Sequence, residues 1–169
     1  FASGLARATL FRKRDGVKTS ALLYQVIQLG VNGVQYVNEF PPHVARDLIE
    51  KFASPSARVL DPCAGWGGRM LGASVSSSFY QAFEPSTKTW QGLQELSKFI
   101  RTFRQDEFEA NVVHGCFEDS ELDAESFDFA LTSPPYFDTE RYSDEQTNSF
   151  NKFPTFDKWV DGFYLPLIR

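Results

Sequence analysis

Two short segments of this 169-residue chain carry residue types that could do chemistry together. The first is T-S-P-P-Y at 132–136. Adjacent prolines lack N–H donors and restrict the backbone, so the carbonyl of Pro134 can be aimed at a ligand with little freedom, and Pro135 keeps it there. The Ser133 side chain and that carbonyl can each accept one N–H of an amine whose lone pair is delocalised into an aromatic ring. Held this way, the nitrogen is steered toward tetrahedral geometry and its lone pair toward an electrophile. Catalysis of this kind is positioning plus stabilisation of developing positive charge. Tyr136 offers a flat ring for stacking. The plainer reading is a Pro-Pro turn beside a core tyrosine.

The second segment is V-L-D-P-C-A-G-W-G-G-R-M at 59–70. A predicted strand ends in Asp61, and Gly65, Gly67 and Gly68 turn the chain into a helix. Glycine lets a backbone approach a ligand closely and adopt positive φ. The dinucleotide pattern G-x-G-x-x-G and the P-loop lysine are both absent, so the turn does not look built around a pyrophosphate or triphosphate. Glu84 ends the next predicted strand, where a carboxylate can accept both hydroxyls of a ribose. Asp61 could hold a cationic amino group. A nucleoside bearing an amino acid meets both demands, which describes S-adenosylmethionine. Otherwise the glycines merely permit a strand-to-helix turn and Glu84 is a surface carboxylate. Cys63 packs in the turn, and Cys116 and Phe117 either border an adenine or belong to the core.

These residues need a scaffold, and the pattern supplies one. Residues 57–61, 79–83, 111–114 and 127–132 read as strands. A helix opened by Pro41 and Pro42 should bury Val44, Leu48, Ile49 and Phe52 on one face. Another begins near Gly68. A long one, capped by Ser86, carries Trp90, Leu93, Leu96, Ile100 and Phe103 at helical spacing. Residues 156–169 look helical, interrupted by Pro166, with Trp159 and Phe163 as core. Alternating strands and helices predict an α/β fold, a mostly parallel sheet with helices on both faces. In such sheets ligands bind beyond the carboxyl ends of the strands, where all the residues singled out above fall. Residues 1–39 read as a separate arm with a hairpin, and 40–169 as the binding and catalytic domain. Residue 1 is Phe, and the chain stops at Arg169 inside a predicted helix, so a C-terminally truncated fragment is expected.

Composition narrows the class. No apolar run approaches the roughly 18 residues of a membrane span, and no signal-peptide pattern opens the chain. Two cysteines are too few for a disulfide scaffold or zinc cluster. His43 and His114 lack metal-ligand neighbours, so no metal is expected. The default setting is reducing and cytoplasmic. A net charge of −5 argues against a nucleic-acid partner, although Arg7, Arg12, Lys13, Arg14 and Lys18 make the N-terminal arm basic. Tyr142, Thr147 and Asn148 lie in a polar loop that either closes over a bound base or simply connects elements.

Taken together, the motifs resemble those of the SAM-dependent DNA amino-methyltransferases of bacteria and their phages. D-P-C-A-G-W-G-G at 61–68 resembles that family's first motif, Glu84-Pro85 its acidic ribose-binding motif, and T-S-P-P-Y its catalytic motif. F-P-P at 40–42 is similar to its additional cofactor-binding segment. The resemblance covers roughly residues 38 to 169 and implies a Rossmann-like methyltransferase fold. It implies cofactor contacts from Phe40, Pro41, Asp61, Pro62, Cys63, Ala64, Gly65, Gly67, Glu84, Pro85, Cys116 and Phe117, and catalysis by Ser133, Pro134, Pro135 and Tyr136. It further implies a DNA partner whose target base is flipped out of the duplex, in the cytoplasm of a bacterium or phage-infected cell. Ser before Pro-Pro-Tyr usually accompanies cytosine N4 as the target, and Asp or Asn adenine N6. Many Ser-Pro-Pro-Tyr members place the catalytic motif first, whereas here the cofactor motif comes first, so adenine stays open. RNA or protein amine methylation and a non-catalytic SAM- or DNA-binding fragment are the other readings. A nicotinamide oxidoreductase is disfavoured by the missing fingerprint.

Overall fold

The computed structural model describes residues 39–138 and 142–168. The arm and hairpin expected before residue 39 lie outside them. Four strands, β1 (Ala57–Asp61), β2 (Ser77–Glu84), β3 (Glu109–His114) and β4 (Phe129–Ala130), form a sheet in the order β3-β2-β1-β4. Every pairing is parallel. The chain is an α/β protein. The β4 ladder reaches past its two paired residues, because the N–H groups of Asp128 and Leu131 donate to the carbonyls of Arg58 and Leu60, each at 2.9 Å.

Successive strands step outward from β1 to β3, and β4 then returns to the other side of β1. The carboxyl ends of β1 and β4 therefore flank a crevice where the winding reverses, the place such sheets offer a ligand.

The helices before β3 are α1 (Pro42–Phe52), α2 (Gly68–Ala73) and α3 (Thr87–Arg104). Their core contributions are Ile49, Met70, Ala73, Leu93 and Ile100, which cluster with Val59, Tyr80, Ala82 and Val112 of the sheet. Those strand residues share one face by the period-two rule and the observed register. The opposite face carries Arg58, Phe79, Gln81 and Asn111, none of them buried, and Phe83, which is buried against Phe117. The β3–β4 connection holds only a single 3-10 turn, Phe117–Asp119. The three helices before β3 therefore pack on one face of the sheet.

The apolar stripe expected on α1 is shifted. Ala45 and Ile49 are buried, while Val44 and Phe52 are exposed. The cause is close packing on α2. A Cβ on Gly68 would lie 2.0 Å from the Phe40 carbonyl oxygen, and one on Gly72 would lie 2.4 Å from that of Pro42 and 2.7 Å from the Ala45 Cβ. Only a small residue on α1 fits so near a neighbouring backbone, so Ala45 faces inward and bulkier Val44 does not.

On α3, Leu93 and Ile100 are buried, Trp90 and Leu96 pack partly against the core, and Phe103 points to solvent. After β4 come α4 (Ser149–Lys152), α5 (Phe156–Trp159) and α6 (Leu165–Ile168), with a π-helical turn at Val160–Tyr164 between the last two. Helical structure runs through Pro166, and the irregularity lies before it. Trp159 and Phe163 are buried, as expected. No helix among the described residues is long and apolar enough to cross a membrane.

Candidate functional site

The turn after β1 is built around a buried carboxylate. Asp61 has no exposed surface. Its Oδ2 accepts from Arg69 Nε at 2.7 Å and from the Tyr80 hydroxyl at 2.5 Å, and its Oδ1 accepts the Cys63 N–H at 3.2 Å. Arg69 also donates to the Cys63 carbonyl and lies over the Phe40 ring, 5.2 Å from its centroid. Burial, reinforced by the Asp61 charge, pushes the Tyr80 phenol well above its ordinary value, so it stays a donor. The cation that Asp61 holds in this structure is Arg69 of the same chain. Phe40 is half-buried against that same guanidinium, and Pro41 is exposed at the N-cap of α1.

Beyond Asp61, Pro62 and Ala64 are buried, and the Ala64 N–H donates to the Phe83 carbonyl at 2.9 Å, stitching the turn to β2. Gly65 and Gly67 adopt φ of 58° and 97°. A Cβ on Gly67 would meet Leu96 and Leu93 at 2.6 and 2.9 Å, so both conformation and space call for glycine there. The Cys63 thiol, pushed up to about 12 by burial and then by the Asp61 charge, is a protonated packing group.

Glu84 closes β2 and is buried, with 8% of its surface exposed. Its Oε1 accepts the Ser86 N–H at 2.9 Å. Burial raises its pKa to about 7, against the lowering effect of the Ser86 and Gly65 N–H groups. Ser86 occupies the N-cap position of α3 but makes no side-chain cap. That role passes to a residue far along the chain: the Glu145 carboxylate accepts the Thr87 N–H at 3.1 Å and the Thr87 hydroxyl at 3.0 Å. Cys116 is buried, its thiol raised to about 11 by burial and then by Glu118. Phe117 packs edge-on against Phe83, with centroids 5.4 Å apart.

The T-S-P-P-Y segment leaves β4 beside this turn. One bond joins the two motifs directly: Cys63 N–H donates to Thr132 Oγ1 at 3.1 Å. Ser133 and Tyr136 are exposed, Tyr136 by 68%, while Pro134 and Pro135 are half-buried. The Tyr136 ring is thus a surface group rather than core. Directly after it, Phe137 inserts into an aromatic cluster, its ring 5.8 to 5.9 Å from those of Phe150, Phe156 and Trp159. Phe137 fixes where the loop re-enters the fold.

Arg69, Tyr80, Thr132 and Phe137 were not singled out from the sequence. Tyr80 had a usable signal, since it alternates with Ala82 and Glu84 on the face shared with Asp61. Arg69 and Thr132 lay inside the quoted motifs, but their partners are visible only in three dimensions.

Other candidates resolve plainly. His114 stacks on Trp90, centroids 4.8 Å apart, and its Nε2 lies 3.3 Å from Thr87 Oγ1. Among the described residues, ligand-type atoms of Cys116, Glu118 and Asp119 converge within 4.8 Å. Lys152 Nζ already sits on that group, 3.0 Å from Glu118 and 2.5 Å from Asp119.

Fold and site together define an α/β protein with a crevice at the sheet's switch point. At that point the glycine turn after β1 and the exposed Ser-Pro-Pro-Tyr loop after β4 meet, with the Glu84 carboxylate at the end of neighbouring β2. No family model matches the chain, and no curated protein matches it.

Proposed function

We propose that this chain is the catalytic core of a SAM-dependent amino-methyltransferase with a Rossmann-like fold, acting on an exocyclic amine of a DNA base, cytosine N4 in the first instance and adenine N6 as the alternative. The observation that carries the reading is the Cys63–Thr132 bond at the switch point, which holds the glycine turn and the Ser-Pro-Pro-Tyr loop against one another.

The residues present fit a nucleoside cofactor. Glu84 stands at the end of the strand next to β1, its carboxylate steadied by the Ser86 and Gly65 N–H groups, in the position from which a carboxylate accepts ribose hydroxyls. The glycine turn keeps side chains away from the ligand's path. The fit changes one role: Asp61 shapes the turn through Arg69 and Tyr80 instead of binding the amino group itself. When bound, the cofactor supplies an electrophilic methyl group on a sulfonium.

The chain's own residues then do the positioning. Ser133 Oγ and the Pro134 carbonyl accept the two N–H bonds of the amine, turning its lone pair toward the crevice. Their partial negative charge would stabilise the positive charge that grows on nitrogen as the new N–C bond forms and the methyl–sulfur bond breaks, with S-adenosylhomocysteine as the leaving group. Tyr136, already exposed, stacks on a base presented out of its helix. The alkylated amine then sheds its extra proton to water.

Incubation with methyl-labelled SAM and duplex DNA, followed by nucleoside analysis, tests the proposal. Label in N4-methylcytosine is expected. Label only in N6-methyladenine replaces the cytosine assignment. Transfer to RNA or protein in preference to DNA overturns the substrate class, and SAM binding without turnover at high protein concentration overturns catalysis.

A further inference from the structure

Residues 143–149 cross the carboxyl ends of β2 and β3 and are tied down beside the candidate cofactor seat. Glu145 grips the first residue of α3 through the Thr87 N–H and hydroxyl. The Thr147 hydroxyl donates to the Pro85 carbonyl at 3.2 Å, and the Thr147 carbonyl accepts the Cys116 thiol at 3.4 Å. These anchors flank Glu84 on one side and reach Cys116 on the other, the corner where a nucleoside held by Glu84 would enter.

The segment is internally braced. Asn151 Nδ2 donates to the Glu145 carbonyl at 2.8 Å and Asn148 Nδ2 to the Ser143 carbonyl at 3.1 Å, while at its far end Ser149 Oγ is anchored to the core by buried Trp159 Nε1 at 3.3 Å. The contact that fastens it is different in character. Thr87 is exposed and Glu145 half-buried, so their bonds can exchange with water without opening the core. The carboxylate also meets the positive end of an 18-residue helix that has no side-chain cap of its own.

We infer that residues 143–149 form a lid over the nucleoside end of the site and that Glu145 is its latch, closing on Thr87. The inference rests on the cofactor reading above. Glu145 is a positioning residue: it holds the lid and touches no reacting atom.

Stopped-flow binding of SAM to the wild type, Glu145→Ala and Glu145→Gln tests it. Glu145→Ala is expected to raise both association and dissociation rates by roughly five- to tenfold, the size of one charge-assisted hydrogen bond at a half-exposed site, with Kd changed far less. Glu145→Gln keeps an acceptor oxygen and should fall between. Unchanged rates overturn the latch. Faster dissociation alone also overturns it, because Glu145 would then be a ligand contact. Hydrogen exchange on the unliganded protein gives an independent answer. Glu145→Ala should speed exchange across residues 143–151 while β1 and β2 stay protected, and unchanged exchange there overturns the latch. Failure of the wild type to bind SAM would sink the cofactor reading instead, and the exchange result would still decide whether Glu145 fastens the segment.

Discussion

The two lips of the switch-point crevice are built on opposite principles. On the β1–β2 side the polar groups are buried and mutually satisfied: Asp61 is fully enclosed, and Arg69, Tyr80 and the Cys63 N–H consume its oxygens. On the β4 side Ser133 and Tyr136 stand in solvent, anchored only from behind by Thr132 and Phe137. The first lip is preorganised as part of the core. The second is presented outward, as the proposed function asks of groups that would meet a substrate. Stability and chemistry are therefore separable, and mutations should sort accordingly.

The sharpest way to break the contrast is Arg69→Met. It leaves Asp61 buried without its cation, and uncompensated buried charges cost about 3–5 kcal/mol. Urea denaturation should show a loss of that order or failure to fold. A loss under about 1 kcal/mol would mean Asp61 reaches water. Next comes Gly67→Ala, which combines positive φ with contacts to Leu96 and Leu93 inside normal Cβ distances. About 2–3 kcal/mol of destabilisation is expected on the same curves.

Glu84 gives a pH signature. Its pKa is raised from 4.5 to about 7 by burial, so the folded state holds a proton that the unfolded state has lost across that window. Stability should therefore fall as pH rises from about 4.5 through 7 and then level off. Glu84→Gln should flatten this slope, and a slope unchanged in that variant would assign it to other groups. If the carboxylate must be ionised to accept ribose hydroxyls, SAM affinity should move the opposite way and rise about tenfold between pH 6 and 8. At the small end, Ser133→Ala should change stability by less than about 0.5 kcal/mol, because the side chain is exposed. It should still abolish most methyl transfer. A large stability loss would place Ser133 with the structural lip.

Much of the scaffold was legible because strand burial and glycine turns leave local patterns. β1 falls at its expected bounds, and the helix start at Gly68 follows from the glycines before it. What escaped was set by tertiary partners. Asp61 looked like a ligand group because nothing local reveals that Arg69 and Tyr80 converge on it. Ser86 looked like a cap, yet the carboxylate that serves α3 lies in a loop 58 residues from Thr87. The inward face of α1 departs from its apolar pattern because the two small residues that set its packing, Gly68 and Gly72, sit on α2. The sequence of the polar loop fits a lid and a connector equally, and its bonds to Pro85, Thr87 and Cys116 are what distinguish a strap from a free segment.

Calorimetric titration of SAM into the wild type and Glu84→Ala, with NAD as the comparison ligand, tests the central claim most directly. The account predicts one SAM site in the wild type, at least tenfold weaker binding in the variant, and no heat from NAD. Absence of SAM binding, or equal binding by wild type and variant, would contradict it.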